Sequence, residues 1–334
     1  MPDGSLGSLG RWAQRWPRGK RAGRLWRRAE MRTRLICGGT IRGPARAVSP
    51  KIYGRIGDLE VRLARTKSDV RRAQRLRFDV FYREMSAKPS FTARMRRRDG
   101  DRYDALCDHL LVVDTATSLI QPGKRQWRGA REPRVIGTYR VLRQEVAQRT
   151  CGFYTQGEYD IAPLVEQRSA AGYRFMELGR SCVLKPYRTK RTVELLWHGL
   201  WTYVREHKID VMIGCASFEG IDPSEHAMAL SFLYHHALAP PEWRVRAHPH
   251  LHANMDLLPK HKVDAKAALK MLPPLIKGYL RLGAKVGDGA VIDRQFGTTD
   301  VLIVLPVESI DPRYFGHFGM PDEQESRVAV GRRI

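Results

Sequence analysis

The stretch Phe175–Lys208, FMELGRSCVLKPYRTKRTVELLWHGLWTYVREHK, decides the fold. Phe175–Leu184 predicts a strand. Lys185–Arg191 is a short basic connection that contains Pro186. From Thr192 the period changes: Val193, Leu196, Trp197, Leu200, Trp201 and Val204 recur three and four apart and form one apolar helical face. Thr192 is the expected N-cap, and Glu194 falls in the first turn, where the helix dipole favours an acid. The layout is strand, cationic turn, helix N-terminus. Such a terminus offers unpaired N–H groups to an anion, and Arg188, Lys190 and Arg191 add side-chain charge. The segment reads either as a phosphate site or as a solvated turn with exposed cations.

Working outward, strands and helices alternate. Asp69–Met85 predicts a helix, with Val70, Ala73, Leu76, Val80 and Phe81 on one side. Strands are expected at His109–Val113, Arg134–Leu142, Asp210–Ala216, Trp243–Ala247, Val291–Ile292 and Asp300–Val307. A polar loop with Pro122 and Gly123 separates the first two. Helices are expected at Asp222–Ala237, opened by Asp222-Pro223, and at Asp264–Leu272 and Pro273–Leu282. Gly283, Gly287 and Gly289 read as a helix end and a hairpin turn. The order implies an α/β or α+β domain over 55–315, followed by a tail at 316–334.

Charge sets the partner classes. The 334 residues carry a formal charge of +24 and a pI near 10.3, which favours acidic partners: nucleic acid, anionic lipid or an acidic carrier protein. Residues 1–50 hold twelve Lys and Arg against Asp3 and Glu30, interleaved with Trp12, Trp16 and Trp26. This basic arm cannot bury enough surface to fold alone and reads as a disordered extension or as a contact with an anionic inner-membrane surface. It has no continuous apolar core, so it is not a secretory signal. No apolar run in the chain approaches the ~20 residues of a membrane span. Cys37, Cys107, Cys151, Cys182 and Cys215 are odd in number and form no C-x-x-C pair, which points to a reducing, cytoplasmic setting. No helix-turn-helix, zinc-finger or RNP-type signature accompanies the charge, so nucleic acid is not the expected partner.

Three segments carry a resemblance. Glu177-Leu-Gly-Arg180 on a strand, followed by a basic turn and an amphipathic helix, resembles the acyl-donor site of the GNAT acyltransferase superfamily. Arg77-Phe-Asp-Val-Phe81, Asp101-Arg-Tyr-Asp104, Arg140 and Glu177 with Arg180 resemble the pattern of acyl-homoserine-lactone synthases. The wider text, GTYRVL, ELGRSCVL, RTKRTVELLW, IGCASFEGIDP and PPLIKGYLRLGAKVGDGA, is similar to bacterial L-ornithine Nα-acyltransferases of ornithine-lipid synthesis, from about Arg55 to Tyr314. The resemblance implies a GNAT-like fold with a central, mixed, mostly antiparallel twisted sheet flanked by helices. It also implies transfer of a 3-hydroxyacyl group from acyl carrier protein to the α-amine of L-ornithine. One departure stands out. The phosphate turn of the superfamily has the form Q/R-x-x-G-x-G/A; Arg188 fills its first place, but Arg191 and Val193 replace the glycines. Close backbone approach to a pyrophosphate is thereby reduced. That weakens coenzyme A as donor and suits the single phosphodiester of 4′-phosphopantetheine on an acidic carrier. No metal or redox cofactor is implied.

Amine attack on a thioester needs a neutral amine, an oxyanion donor and a route for the thiol. Ornithine's α-amine is easier to deprotonate than its side-chain amine. On this reading Asp101 and Asp104 clamp the side-chain ammonium and Glu177 orients or deprotonates the α-amine. Arg180 is the expected catalytic partner of Glu177, Arg140 holds the carboxylate with Arg77 also at the substrate, and Arg188, Lys190, Arg191 and Thr192 meet the pantetheine phosphate or its carrier. Glu177 and Arg180, three apart, would face opposite ways on a regular strand, so a bulge or splay is expected near Leu178–Ser181. Tyr279 and Tyr234 are candidate proton donors to the thiolate. His109–Asp114 has the spacing of an H-x4-D acyltransferase motif, but an intervening strand turns the two apart. His248, His250 and His252 alternate, yet Pro249 makes a loop the better reading than a metal site. Alternatives remain: another amino acid or amine as acceptor, homoserine-lactone synthesis, or a nucleic-acid- or membrane-binding protein with an inert core.

Overall fold

The computed structural model describes residues 51–85, 87–118 and 133–311. The basic arm, the loop around Pro122 and the tail at 316–334 lie outside them. Within the described residues one sheet of nine strands has the order β1-β2-β3-β4-β5-β6-β9-β8-β7. The strands are β1 Ile52–Ile56, β2 Leu59–Leu63, β3 Asp108–Ser118, β4 Pro133–Arg143, β5 Phe175–Val183, β6 Val211–Glu219, β7 His252–Ala253, β8 Lys285–Asp293 and β9 Thr298–Pro306. Every neighbouring pair is antiparallel except β5 and β6. Helices α1 Lys67–Phe78, α2 Phe91–Arg96, α3 Gln144–Gln148, α4 Ala162–Ala170, α5 Lys190–His207, α6 Ala227–Ala237, α7 Ala265–Met271 and α8 Pro274–Arg281 flank it. This is the mixed, mostly antiparallel α/β architecture expected from the sequence.

Alternation along the strands sorts side chains between two cores. Val141, Met176, Met212 and Ile303 pack on one face with Leu200, Trp201 and Tyr203 of α5. Leu142, Phe175, Val211 and Leu302 pack on the other with Phe153, Tyr159 and Leu164. The long apolar strand runs follow from this double burial. Helix α5 begins at Thr189, whose hydroxyl accepts the Thr192 N–H at 3.3 Å; Thr189, not Thr192, is the N-cap. The apolar stripe begins at Leu195–Leu196, and Val193 in the first turn is exposed. The helix ends at Lys208, whose φ of 50° places it in the left-handed region.

Other expectations are corrected. Trp243–Ala247 is not a strand. A 3-10 turn occupies Pro241–Trp243, and only isolated bridges follow, Arg246 to Asp288 and Ala247 to Tyr159. The turn takes the Trp243 N–H to the Pro240 carbonyl and the Arg244 N–H to the Pro241 carbonyl, so neither is left for a ladder. Gly287 and Gly289 lie inside β8, at a register shift between Val286 and Ala290, and not in a hairpin turn. The hairpin β1–β2 begins ahead of the expected domain start at Arg55. The first helix changes character at Asp79. Residues Asp79–Glu84 form a π-helical turn that carries Val80, Phe81 and Glu84 to the cavity described below. Such turns recur at functional sites.

The junction of β5 and β6 organises the molecule. Their parallel pairing covers only Phe175–Glu177 against Val211–Ile213. Beyond it the strands separate. At the branch point a Cβ on Gly214 would sit 2.2 Å from the Leu178 carbonyl oxygen. Replacing Gly214 by alanine is therefore expected to cost about 3 kcal/mol through backbone displacement. A urea-denaturation midpoint checks this; an unchanged midpoint would show that the junction yields freely.

Candidate active site

Where β5 and β6 part, a cavity of about 550 Å³ opens, lined on one side by Leu178–Val183 and on the other by Cys215, Ala216, Ser217 and Glu219. The expected bulge is present. Thr138 pairs with Cys182 and Arg140 with Gly179, so β5 carries one more residue than β4 between these partners. Arg180, with φ 51°, takes the left-handed conformation there, rather than Gly179. The bulge resets the alternation, and Glu177 and Arg180 both line the cavity.

One wall is an arginine–aspartate lattice. Arg77 is fully buried; its Nε donates to Asp99 at 2.8 Å and its Nη2 to both Asp104 oxygens at 2.8 Å. Arg140 Nη1 donates to both Asp101 oxygens at 2.7 Å. Arg180 lies 3.4 Å from Asp99 and Asp101 and stacks between Phe296 and Tyr154, at 4.5 and 5.2 Å from the ring centres. Burial alone would raise the Asp104 pKa, but the charges of Arg77 and Arg140 hold it down to about 2. Burial likewise opposes the charge on Arg180, yet Asp99 and Asp101 keep it protonated.

This lattice corrects two expected roles. Arg77 has no surface left for a substrate, and Asp104, 6% exposed, is already neutralised. Both are parts of the wall. Asp101 caps the turn Arg102–Ala105 through the N–H groups of Tyr103 and Asp104 while it pairs with two arginines, so it is poorly placed to clamp a further cation.

Glu177 is buried, and its carboxylate receives the Tyr154 N–H at 2.8 Å, the Thr155 N–H at 2.6 Å and the Thr155 hydroxyl. Burial raises its pKa against these donors. The contacts anchor the 3-10 turn Tyr154–Gly157, and Glu158 is the residue that ends this turn. Sequence reasoning missed Glu158, Asp293 and Asp300. All three line the cavity, with carboxylate oxygens within 4.8 Å of one another. Glu158 accepts from the Cys215 thiol at 3.0 Å, and burial pushes its pKa up to about 7. Burial pushes Asp300 up to about 6. A signal for Asp300 existed: on β9 it alternates with Leu302 and Val304, which places a carboxylate on a buried face. Glu158 and Asp293 carried no such signal: Glu158 closes a 3-10 turn, and Asp293 is the last residue of β8, where an acid before a turn is an ordinary solvated end.

The basic connection is partly engaged. Arg188 lines the cavity, donates Nε to the Val183 carbonyl at 3.0 Å and pairs with Glu84. Lys190 and Arg191 are exposed at the start of α5, and Lys190 approaches Glu194 at 3.5 Å. The Thr192 side chain is buried against Thr189, which takes its hydroxyl out of any phosphate contact. Tyr279 lines the cavity and bonds to the Tyr139 hydroxyl; burial raises both phenols, so both stay protonated. Tyr234 does not line it. Cys182 is buried and Cys215 half-buried, and desolvation raises the pKa of both thiols, which makes them poor nucleophiles. His109 bonds to the Asp104 carbonyl and Asp114 accepts from Tyr187, so the H-x4-D spacing joins nothing. His248 bonds to the Gln156 carbonyl, and His248, His250 and His252 form no metal-ligand group among the described residues.

Residues 76–198, which hold the lattice, the bulged strand and the first half of α5, match the model of the acetyltransferase (GNAT) domain. That segment is an acyltransferase domain of the GNAT class. Over 268 residues it is 52% identical to the L-ornithine N(alpha)-acyltransferase of Brucella abortus (strain 2308), across 80% of this chain and 91% of that protein. Over 279 residues it is 52% identical to the enzyme of that name from Rhizobium meliloti (strain 1021), across 84% and 90%. An N-acyl amino acid synthase from uncultured soil microbes superposes with a TM-score of 0.41 at 10% identity, over 78% of this chain and 94% of that one. The chain belongs to the L-ornithine Nα-acyltransferase family.

Proposed function

We propose that the protein transfers a 3-hydroxyacyl group from acyl carrier protein to the α-amino group of L-ornithine, forming lyso-ornithine lipid. The observation that carries this reading is one cavity with an arginine-lined wall and an acidic wall, opening at a bulged strand. The pantetheine arm enters along β5 past Arg188, with Lys190 and Arg191 outside for the carrier's phosphodiester and acidic surface. Arg180 and Ser181, set out of the β4 ladder by the bulge, offer backbone N–H groups to the thioester carbonyl. The α-carboxylate of ornithine faces Arg180, with Arg140 behind it. Glu158 accepts the proton of the α-ammonium, and its pKa near neutrality suits that task. Glu177 positions the turn that delivers Glu158. Tyr279 stands ready to hydrogen-bond the departing sulfur.

The reaction on this reading is cytoplasmic, in keeping with the free cysteines among the described residues. Among the described residues no helix is long and apolar enough to cross a membrane. The basic arm with its tryptophans suits the anionic inner-membrane surface that receives the product.

The test is mass spectrometry of the purified protein with 3-hydroxyacyl carrier protein and an equimolar mixture of ornithine, lysine, homoserine and putrescine. Acyl-ornithine as the main product is expected, with the carrier thioester preferred over the coenzyme A thioester by at least 10-fold in kcat/KM. Product on another amine would move the acceptor assignment, and equal use of coenzyme A would remove the carrier.

A further inference from the structure

The carboxylates of the arginine wall all have cationic partners, but those of the opposite wall, of which Asp300 is buried and Glu158 and Asp293 are half-buried, do not. Asp99, Asp101 and Asp104 are paired with Arg77, Arg140 and Arg180. No ion pair among the described residues includes Glu158, Asp293 or Asp300. Asp300 is 6% exposed, and its Oδ1 has no hydrogen-bond partner of good geometry, although the Ser217 and Thr298 hydroxyls lie beside the carboxyl. Asp293 is fixed in direction: its Oδ1 accepts the Gln295 N–H at 2.7 Å and the Phe296 N–H at 2.9 Å. That turn also carries Phe296, which backs Arg180. A buried, unpaired carboxylate facing a cavity is costly unless a cation arrives to pair with it.

We propose that Asp293 and Asp300, across the β8–β9 hairpin, are the subsite for the side-chain ammonium of the acceptor and make the enzyme select a diamino acid. The inference rests on the functional reading above and moves the ammonium clamp away from Asp101 and Asp104. It uses the chemistry of the two walls. An amino acid with a cationic side chain has one carboxylate and two nitrogens. The carboxylate meets Arg180, the α-nitrogen meets Glu158, and the side-chain nitrogen meets the hairpin aspartates within the same 4.8 Å cluster. An acceptor of the same carbon skeleton without the terminal amine leaves both aspartates unpaired. Selection then operates by refusal as well as by attraction.

The experiment compares ornithine with 2-aminopentanoate, its analogue lacking the side-chain amine, in wild type, Asp300→Asn and Asp293→Asn. Steady-state transfer and calorimetric titration without donor are both read. Wild type is expected to favour ornithine by at least 100-fold in kcat/KM. Each variant is expected to lower that preference by at least 30-fold, through a raised ornithine KM and weaker binding with kcat within about 5-fold, while its use of 2-aminopentanoate is retained or improved. Retained use of the analogue also shows that the variant is folded. An unchanged preference in both variants, with acyl-ornithine still formed by wild type, overturns the subsite and leaves the functional reading standing. Absence of any acyl-ornithine from wild type overturns the functional reading itself. Tight binding of Mn2+ or Ca2+ to wild type that is lost in Asp300→Asn, with loss of activity in EDTA, would make the cluster a metal site and also overturn the proposal.

Discussion

Glu158→Gln is expected to lose acyl transfer by about 100- to 10,000-fold in kcat, the range typical of a positioned general base. It is also expected to be more stable than wild type at pH 8. The two effects have one cause. Burial raises the folded-state pKa of Glu158 from 4.5 to about 7. A raised carboxyl pKa contributes stability that is fully present below the unfolded value and is lost as pH rises through the folded value. At pH 8 the wild-type group is ionised in a poorly solvated place. A shift of this size corresponds to roughly 3 kcal/mol that glutamine does not forfeit. The stability gain should therefore appear at pH 8 and vanish near pH 4. Thermal denaturation at the two pH values, beside a pH profile of kcat/KM, checks it. The wild-type profile should rise through about 7 and again where the free α-amine of ornithine titrates; the variant should keep only the second rise. A variant that loses activity without gaining stability at pH 8 would make Glu158 a packing residue.

Arg77→Leu is expected to destabilise the fold by about 3–5 kcal/mol, because it leaves Asp99 and Asp104 buried without their cation. For a domain of this size that lowers Tm by roughly 10 °C and takes a large share of the total stability. The KM for ornithine, measured on protein that still folds, should stay within about 3-fold of wild type. This separates the wall from the ligand surface. A raised KM with an unchanged Tm would return Arg77 to substrate binding. The lattice adds an acid limit of its own: with Asp104 held near 2, its contribution is present above the usual carboxylate range and is lost as pH falls toward 2.

The periodicities of the chain carried most of the architecture. The apolar rows at Leu196, Leu200 and Val204 and the long β-branched runs of β3, β4 and β9 pointed to an α/β or α+β domain, the resemblance implied the mostly antiparallel sheet, and the structure shows that sheet covered on both faces with α5 on one of them. Even the bulge could be inferred, since Glu177 and Arg180 could not otherwise face one site. The site itself was half legible. Arg140, Glu177 and Arg180 stand out as charges in or beside strands, and all three line the cavity. Their partners were not legible. Asp101 and Asp104 looked like free acids because nothing local shows that Arg77 and Arg140, far away in the chain, reach them.

What the sequence by itself determined is the long strands and helices of the middle of the chain, their apolar faces and the cationic turn before α5, because these depend on neighbours a few residues apart. What only the tertiary structure decided is which charges cancel. Arg77 meets Asp99 and Asp104 across a helix–loop contact, and Glu158, Asp293 and Asp300 converge from a turn and two strands. A carboxylate becomes a ligand for a substrate cation only when no arginine arrives first, and pairing of that kind is set by distances in space that no local pattern encodes.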